Sequence, residues 1–345
     1  MRLTLCMAAF GALLPLLSNA AWATTGVSEI RSARDGGAVT LFYPSSSTER
    51  RVERGDFVFQ AAWDGQPEPG NGRLVVISHG SGGSPWLYRE LAQALVAADF
   101  VVAMPSHAGD NSDDPSAPGP ESWKRRPLEV SAAIDAVQDD DRFDLALDRV
   151  GAYGMSAGGH TMLSLAGGQW SEARFRQHCD EHLAEDFQTC VGLITRLNGG
   201  LLDPLKQWAA RRVIRRRFED PHMHAHQDRR VAAVVSGVPL AADFDLRTLA
   251  SPPIPVGIIS ARQDRWLIPL YHSDALLQAC GSCEHLSDLE QGGHGALLAP
   301  LPAIDDALLE ELIGDPPGFD RATEVPRLNA LIIDFFERHL LEPAP

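Results

Sequence analysis

The sequence predicts an α/β fold, a mostly parallel central sheet flanked by helices and carrying a helical insertion, and three observations carry that expectation. Continuous apolar runs at residues 74–78, 101–104, 231–236 and 256–260 have the length and composition of strands buried on both faces. After the first of them, Leu87, Leu91, Ala94, Leu95 and Ala98 recur at helical spacing, so strand, helix and strand alternate. Glycine-rich or polar turns follow several runs, and loops at the C-terminal ends of parallel strands share one edge of the sheet.

Taken in order, residues 27–30 and 39–43 read as two strands joined by Asp35-Gly36-Gly37, an antiparallel start. Residues 44–72 are polar and rich in Pro and Gly around a strand-like run at 57–59, the composition of edge strands and loops. The run at 74–78 leads into His79-Gly80-Ser81-Gly82-Gly83, and the run at 101–104 into a loop, 105–111, that opens at the same edge. Residues 112–122 read as loop, and 127–137 as a helix that turns Leu128, Ile134 and Val137 toward the sheet. Residues 169–228 break the alternation and read as a mostly helical cap insertion over the strand ends. Within it, five arginines at 211, 212, 215, 216 and 217 read as a solvated helix face that pairs with local acids. The strand pattern resumes at 231–236, 256–260 and, more weakly, 286–289, and Leu328, Leu331, Ile332, Phe335, Phe336 and Leu340 form the apolar face of a closing helix.

The 345 residues begin Met1-Arg2, pass through an apolar stretch at 3–17 and reach Ala21-Trp22-Ala23. That is the pattern of a secretory signal peptide cut after Ala23, with 24–345 as the mature domain, exported to the periplasm or secreted. No later apolar segment is long enough to span a bilayer, so stable membrane insertion after cleavage is not expected. A formal net charge of −16 disfavours nucleic acid and anionic membranes as partners. Of five cysteines, Cys6 leaves with the signal, and an even set in an exported chain implies disulfides. Local pairing, Cys179 with Cys190 and Cys280 with Cys283, brings sulfurs together whatever the global fold.

The chemistry centres on Gly154-Met155-Ser156-Ala157-Gly158, where a β-like run meets a helical stretch. A serine held at such a turn sits in strained backbone, and side chains two residues to either side would collide across it. Serine needs a base, and the base an orienting acid. His294, in a glycine-rich loop after the last strand-like run, is the base. Asp264, after the strand at 256–260, is the acid, with Asp243 and Asp245 as rivals at the end of the preceding strand. Rigid donors for the developing oxyanion come from the amides of Ala157 and of Ser81 in its glycine-rich turn. His107 either lines the pocket or anchors its own loop. His222, His224 and His226 alternate as Zn²⁺ or Cu²⁺ ligands could, but no acid or cysteine partner is implied, and they read as exposed loop.

These residues together resemble the α/β-hydrolase superfamily, and within it the dienelactone-hydrolase-like branch that includes platelet-activating-factor acetylhydrolase-like esterases and bacterial polyester hydrolases. The likeness rests on Ser78-His79-Gly80-Ser81-Gly82-Gly83, Pro105-Ser106-His107-Ala108-Gly109-Asp110-Asn111, the serine pentapeptide, Asp264 and Gly293-His294, spread over most of residues 27–340. It implies Ser156, Asp264 and His294 as a catalytic triad and a small-molecule ester as substrate, with no cofactor required. Dienelactone hydrolase itself uses a cysteine where this chain has Ser156, which favours ordinary carboxylic esters. The same triad also serves amide or peptide hydrolysis and acyl transfer, and the same fold can carry a non-catalytic binding protein.

Overall fold

The computed structural model describes residues 24–341. The expected signal peptide at 1–23 lies outside them.

The N-terminal strands are β1 (Thr24–Arg31), β2 (Ala38–Ser45), β3 (Arg50–Arg54) and β4 (Phe57–Trp63). The alternating body follows as β5 (Leu74–Ser78), α1 (Arg89–Ala97), β6 (Val101–Pro105), α2 (Pro120–Gln138), β7 (Val150–Met155) and α3 (Ala157–Leu165). Residues 169–228, the expected insertion, come next with β8 (Gln169–Trp170), α4 (Glu172–His182), α5 (Phe187–Val191) and α6 (Asp203–Arg217). The chain then returns through β9 (Val231–Gly237), β10 (Phe244–Asp245), β11 (Val256–Ala261), α7 (Ser273–Ala279), β12 (Glu284–Leu289), α8 (Ala307–Ile313) and α9 (Arg321–Phe336).

Ten strands form one sheet in the order β12-β11-β9-β7-β5-β6-β2-β1-β4-β3, while β8 and β10 pair apart. From β6 across to β12 every neighbouring pair runs parallel; β2 joins β6 antiparallel. The central strands are apolar throughout because both faces are covered. Leu74 and Val76 of β5 face a core shared with α2 and α3, and Val75 and Ile77 face one shared with α1 and α9. The period-two alternation of a strand thus divides one apolar run between two cores. Among the described residues no helix is long and apolar enough to cross a membrane.

Three expectations need correction. Helix α2 begins at Pro120, not at Pro127, because Gly119 adopts a left-handed φ of 87° and Pro120 fills the first helical position; Pro127 lies inside the helix. Leu128 is exposed, since Pro127, Val130, Ile134 and Val137 make up the buried stripe and Leu128 falls beside it. Among the described residues only Arg215 of the arginine run meets a carboxylate, Asp180 at 2.9 Å, while Arg217 donates to the Pro118 carbonyl.

Candidate active site

Strand β7 ends at Met155 and α3 starts at Ala157, so Ser156 alone carries the reversal, with φ 58° and ψ −117°. A β-carbon at Gly154 would lie 2.2 Å from the Gly158 carbonyl oxygen, and one at Gly158 would lie 2.0 Å from that of Ser78. Neither position can hold another residue without moving the backbone, which explains the pentapeptide. The Ser156 amide is tied to the Gly237 carbonyl at 3.0 Å, so the strained turn is fixed from β9 as well. The half-buried hydroxyl stands at the N-terminus of α3, in the positive end of its dipole.

His294 opens a short 3-10 turn, His294–Leu297, after β12. Its Nε2 lies 3.1 Å from Ser156 Oγ and its Nδ1 2.8 Å from Asp264 Oδ2. A carboxylate can only accept, so the imidazole proton sits on Nδ1 and the Nε2 lone pair faces the hydroxyl. The second Asp264 oxygen, Oδ1, accepts from the amides of Trp266 at 2.8 Å and Leu267 at 2.9 Å, which locks the carboxylate plane. The rival acids are engaged elsewhere: Asp243 meets His160 at 3.0 Å, and Asp245 pairs with Arg174 and Arg247. Geometry therefore brings Asp264, and neither rival, to His294.

The turn after β5 leaves one amide of its four glycine-flanked positions open. Gly80 N–H donates to the Tyr88 hydroxyl at 3.0 Å, Gly82 N–H to Asp110 at 3.0 Å and Gly83 N–H to the Gly80 carbonyl at 3.1 Å. Among the described residues neither the Ser81 nor the Ala157 amide donates to a protein acceptor. A β-carbon at Gly80 would stand 3.6 Å from Ser156 Cβ, so this turn and the serine are neighbours.

A buried network that no motif in the sequence announces holds the turn. Arg126, fully enclosed on α2, donates to the carbonyls of His79, Gly80 and Asp110 and to Asp110 Oδ2 at 2.8 Å. Asp110 Oδ1 in turn accepts from the Ser81 hydroxyl at 2.6 Å. Burial alone would raise the Asp110 carboxyl, but Arg126 and the Ser81 hydroxyl outweigh it and hold it below the usual carboxylate value. The Tyr88 hydroxyl that receives Gly80 N–H is pushed by burial to about 12, so it stays a neutral phenol. His107 bonds Ser78 Oγ at 2.8 Å through Nε2 and Glu129 at 2.6 Å through Nδ1, and its ring packs on His79. Fully buried, it anchors its loop. Burial, together with the Arg126 charge, pushes both His79 and His107 well below the ordinary imidazole value.

Residues 169–228 are tied to the Asp264 loop. Cys179–Cys190 joins α4 to α5, and Cys280–Cys283 closes the turn after α7, both as expected. Beside the first disulfide, Asp186 bridges His178 at 2.7 Å and His272 at 3.2 Å, and Thr189 donates to the Trp266 carbonyl at 2.8 Å. His178, Asp186 and His272 lie close enough to suit a metal ion. However, the Ala241 amide donates to His272 Nδ1 at 3.0 Å, which puts the imidazole proton on Nε2, the atom that faces Asp186. The trio is thus built as a hydrogen-bonded clamp. In the other histidine cluster His222 is exposed, His224 and His226 are half-buried, and His226 bonds Ser131 at 3.0 Å, so the three do not converge.

The sheet order, its flanking helices and the strand-turn-helix that carries Ser156 define the class: this is an α/β-hydrolase fold. Among the solved structures that share it is the ferulic acid esterase from Streptomyces cinnamoneus, which superposes with a TM-score of 0.60 over 94% of this chain and 93% of that one, at 16% sequence identity. No protein-family model and no curated protein matches the sequence.

Proposed function

We propose that the protein is an exported serine hydrolase that cleaves carboxylic esters of small molecules, with Ser156, His294 and Asp264 as its triad. The observation that carries this reading is the unbroken hydrogen-bond chain from Ser156 Oγ through His294 to Asp264, set on a left-handed serine beside two unengaged amides. Ser156 Oγ attacks the ester carbonyl as His294 Nε2 takes its proton, and the oxyanion forms against the Ser81 and Ala157 amides. Asp264 stabilises the imidazolium without taking the proton. His294 then protonates the departing alcohol, leaving an acyl-Ser156 ester. Water, deprotonated by the same imidazole, attacks that ester and releases the acid and the free serine. No cofactor enters these steps.

A neighbour of the same fold described as a ferulic acid esterase agrees with ester chemistry. The resemblance to the dienelactone-hydrolase-like branch, with serine as nucleophile, points the same way. Two disulfides and the N-terminal pattern fit an oxidising compartment. The helices α4 to α6 form the cap, joined to the acid loop through Thr189. Incubation with a fluorophosphonate probe, followed by peptide mapping, tests the reading: the adduct belongs on Ser156 and disappears in Ser156→Ala. Labelling of another residue, or of the variant at the same rate, refutes it.

A further inference from the structure

The outer face of the N-terminal half of α6 exposes apolar side chains. Leu205 and Trp208 are 58% and 64% exposed, and Leu201, Leu202 and Val213 stand open around them. Leu193 and Ile194, on a short 3-10 turn earlier in the same insertion, are exposed as well. Scattered leucines on a surface need no account, but the spacing of Leu205, Trp208 and Val213 puts them on one side of the helix. The same stripe changes character along the helix: Leu205, Ala209, Arg212 and Arg216 follow at spacings of four, three and four, so two exposed arginines continue the line that the apolar side chains begin. Among the described residues neither Arg212 nor Arg216, nor Arg211 beside them, has a carboxylate within ion-pair distance, although acids outnumber bases in the whole chain 46 to 30. Two acids of the insertion are occupied by other bases, Asp180 by Arg215 and Asp203 by Lys206.

We propose that this face docks on an anionic phospholipid surface, with Trp208 and the leucines entering the headgroup region and Arg211, Arg212 and Arg216 meeting lipid phosphates. An anionic interface attracts a helix through both buried apolar area and nearby cations, and Trp208 and Leu205 stand beside Arg212 and Arg216. The net negative charge of the chain does not forbid it, because acids beyond about 10 Å are screened at physiological salt while cations at the contact are not. The insertion also reaches the rim of the hydrolase site. Arg196 pairs with Glu311, whose carbonyl receives the Trp266 indole N–H, and Thr189 holds the Trp266 carbonyl. The segment that carries α6 is thus tied to the Asp264 loop through Thr189 and Arg196. The docking is peripheral attachment by one helix, and it needs no membrane-spanning segment.

The test is co-sedimentation of the full chain with phosphatidylcholine vesicles that contain or lack phosphatidylglycerol. Binding is read without turnover, so the outcome is independent of whether the protein hydrolyses esters. Each basic residue near an anionic surface contributes about fivefold to partitioning. Arg212→Gln with Arg216→Gln is therefore expected to lower binding to the anionic vesicles about 25-fold, and raised salt to do the same to the parent. Leu205→Ser with Trp208→Ser is expected to lower co-sedimentation with the anionic vesicles, and the parent to show a blue shift of tryptophan emission on their addition. Residues 1–23 are the same in all three proteins, so the differences report on α6 alone. Circular dichroism and thermal unfolding verify that the variants fold. Equal binding to both vesicle types, or undiminished binding by either folded double variant, overturns the proposal. So does absence of vesicle binding with concentration-dependent dimerisation that Leu205→Ser and Trp208→Ser remove, which would assign the face to a second copy of the chain.

Discussion

Substituting lysine for Arg126 tests whether the turn that carries Ser81 is held by the buried guanidinium. In the parent the planar fork spans the carbonyls of His79, Gly80 and Asp110 and the Asp110 carboxylate at once. A lysine ammonium keeps the charge but presents its donors from one point, so the carboxylate stays paired while part of the carbonyl set is released. If the Ser81 amide then loses its aim, one oxyanion donor is lost, worth about 3 kcal/mol, or a fall in kcat of about 100-fold. KM should hardly change, because the donor acts on charge that develops only in the transition state. Arg126→Met, by contrast, leaves a buried carboxylate unpaired and costs about 3–5 kcal/mol of stability. The assay is steady-state hydrolysis of a soluble ester and the rate of fluorophosphonate labelling, with thermal unfolding to separate lost fold from lost chemistry. An Arg126→Lys protein that unfolds at the parent's temperature and keeps kcat within about threefold would refute the positioning role.

Asp264→Asn should lower kcat by about 10⁴-fold with the fold intact, whereas Asp243→Asn, whose carboxylate faces His160, should leave turnover within about tenfold; the reverse ranking in a kinetic comparison would transfer the acid's role. His79 and His107 have folded pKa values below 6.5, so an unfolded chain binds protons there that the folded one refuses. Their contribution is complete above that value and drains as pH falls through it, at up to about 1.4 kcal/mol per pH unit for each histidine, and urea unfolding across this range should show a slope that His107→Gln reduces. Because Cys179–Cys190 closes a loop with a separation of 11 and Cys280–Cys283 one of 3, loop entropy assigns them about 3 and about 1.6 kcal/mol respectively. Serine pairs in place of the first should therefore lower the unfolding temperature more than serine pairs in place of the second.

Much of the arrangement is legible in the sequence because it depends on local chemistry. A strand buried on both faces must be apolar along its length, and a left-handed serine crowded by backbone must be flanked by glycine, so β5, β6, β9, β11 and the Ser156 turn announce themselves. Asp264 and His294 follow from their position after late strands, yet choosing Asp264 over Asp243 and Asp245 depends on which loop leans toward the imidazole, and only long-range packing decides that. The least legible residue is Arg126. It is the third of three consecutive basic residues, Lys124-Arg125-Arg126, and nothing local marks it as enclosed. Its burial is set by Asp110, sixteen residues earlier, and by carbonyls more than forty residues away. The clamp of His178, Asp186 and His272 escapes for the same reason, since its second histidine arrives from 86 residues beyond Asp186.

The serine and the imidazole that faces it are separated by 138 residues of chain. A ribosome therefore adds 138 residues after the serine before the second partner exists, and the intervening strands β9, β11 and β12 must stack in order to carry it there. Contacts this far apart in sequence carry the largest loop-closure entropy and tend to form late. On the proposed mechanism, reactivity at the serine is consequently a property of the finished molecule: a nascent, truncated or partly folded chain carries the hydroxyl but lacks the imidazole proposed to ionise it.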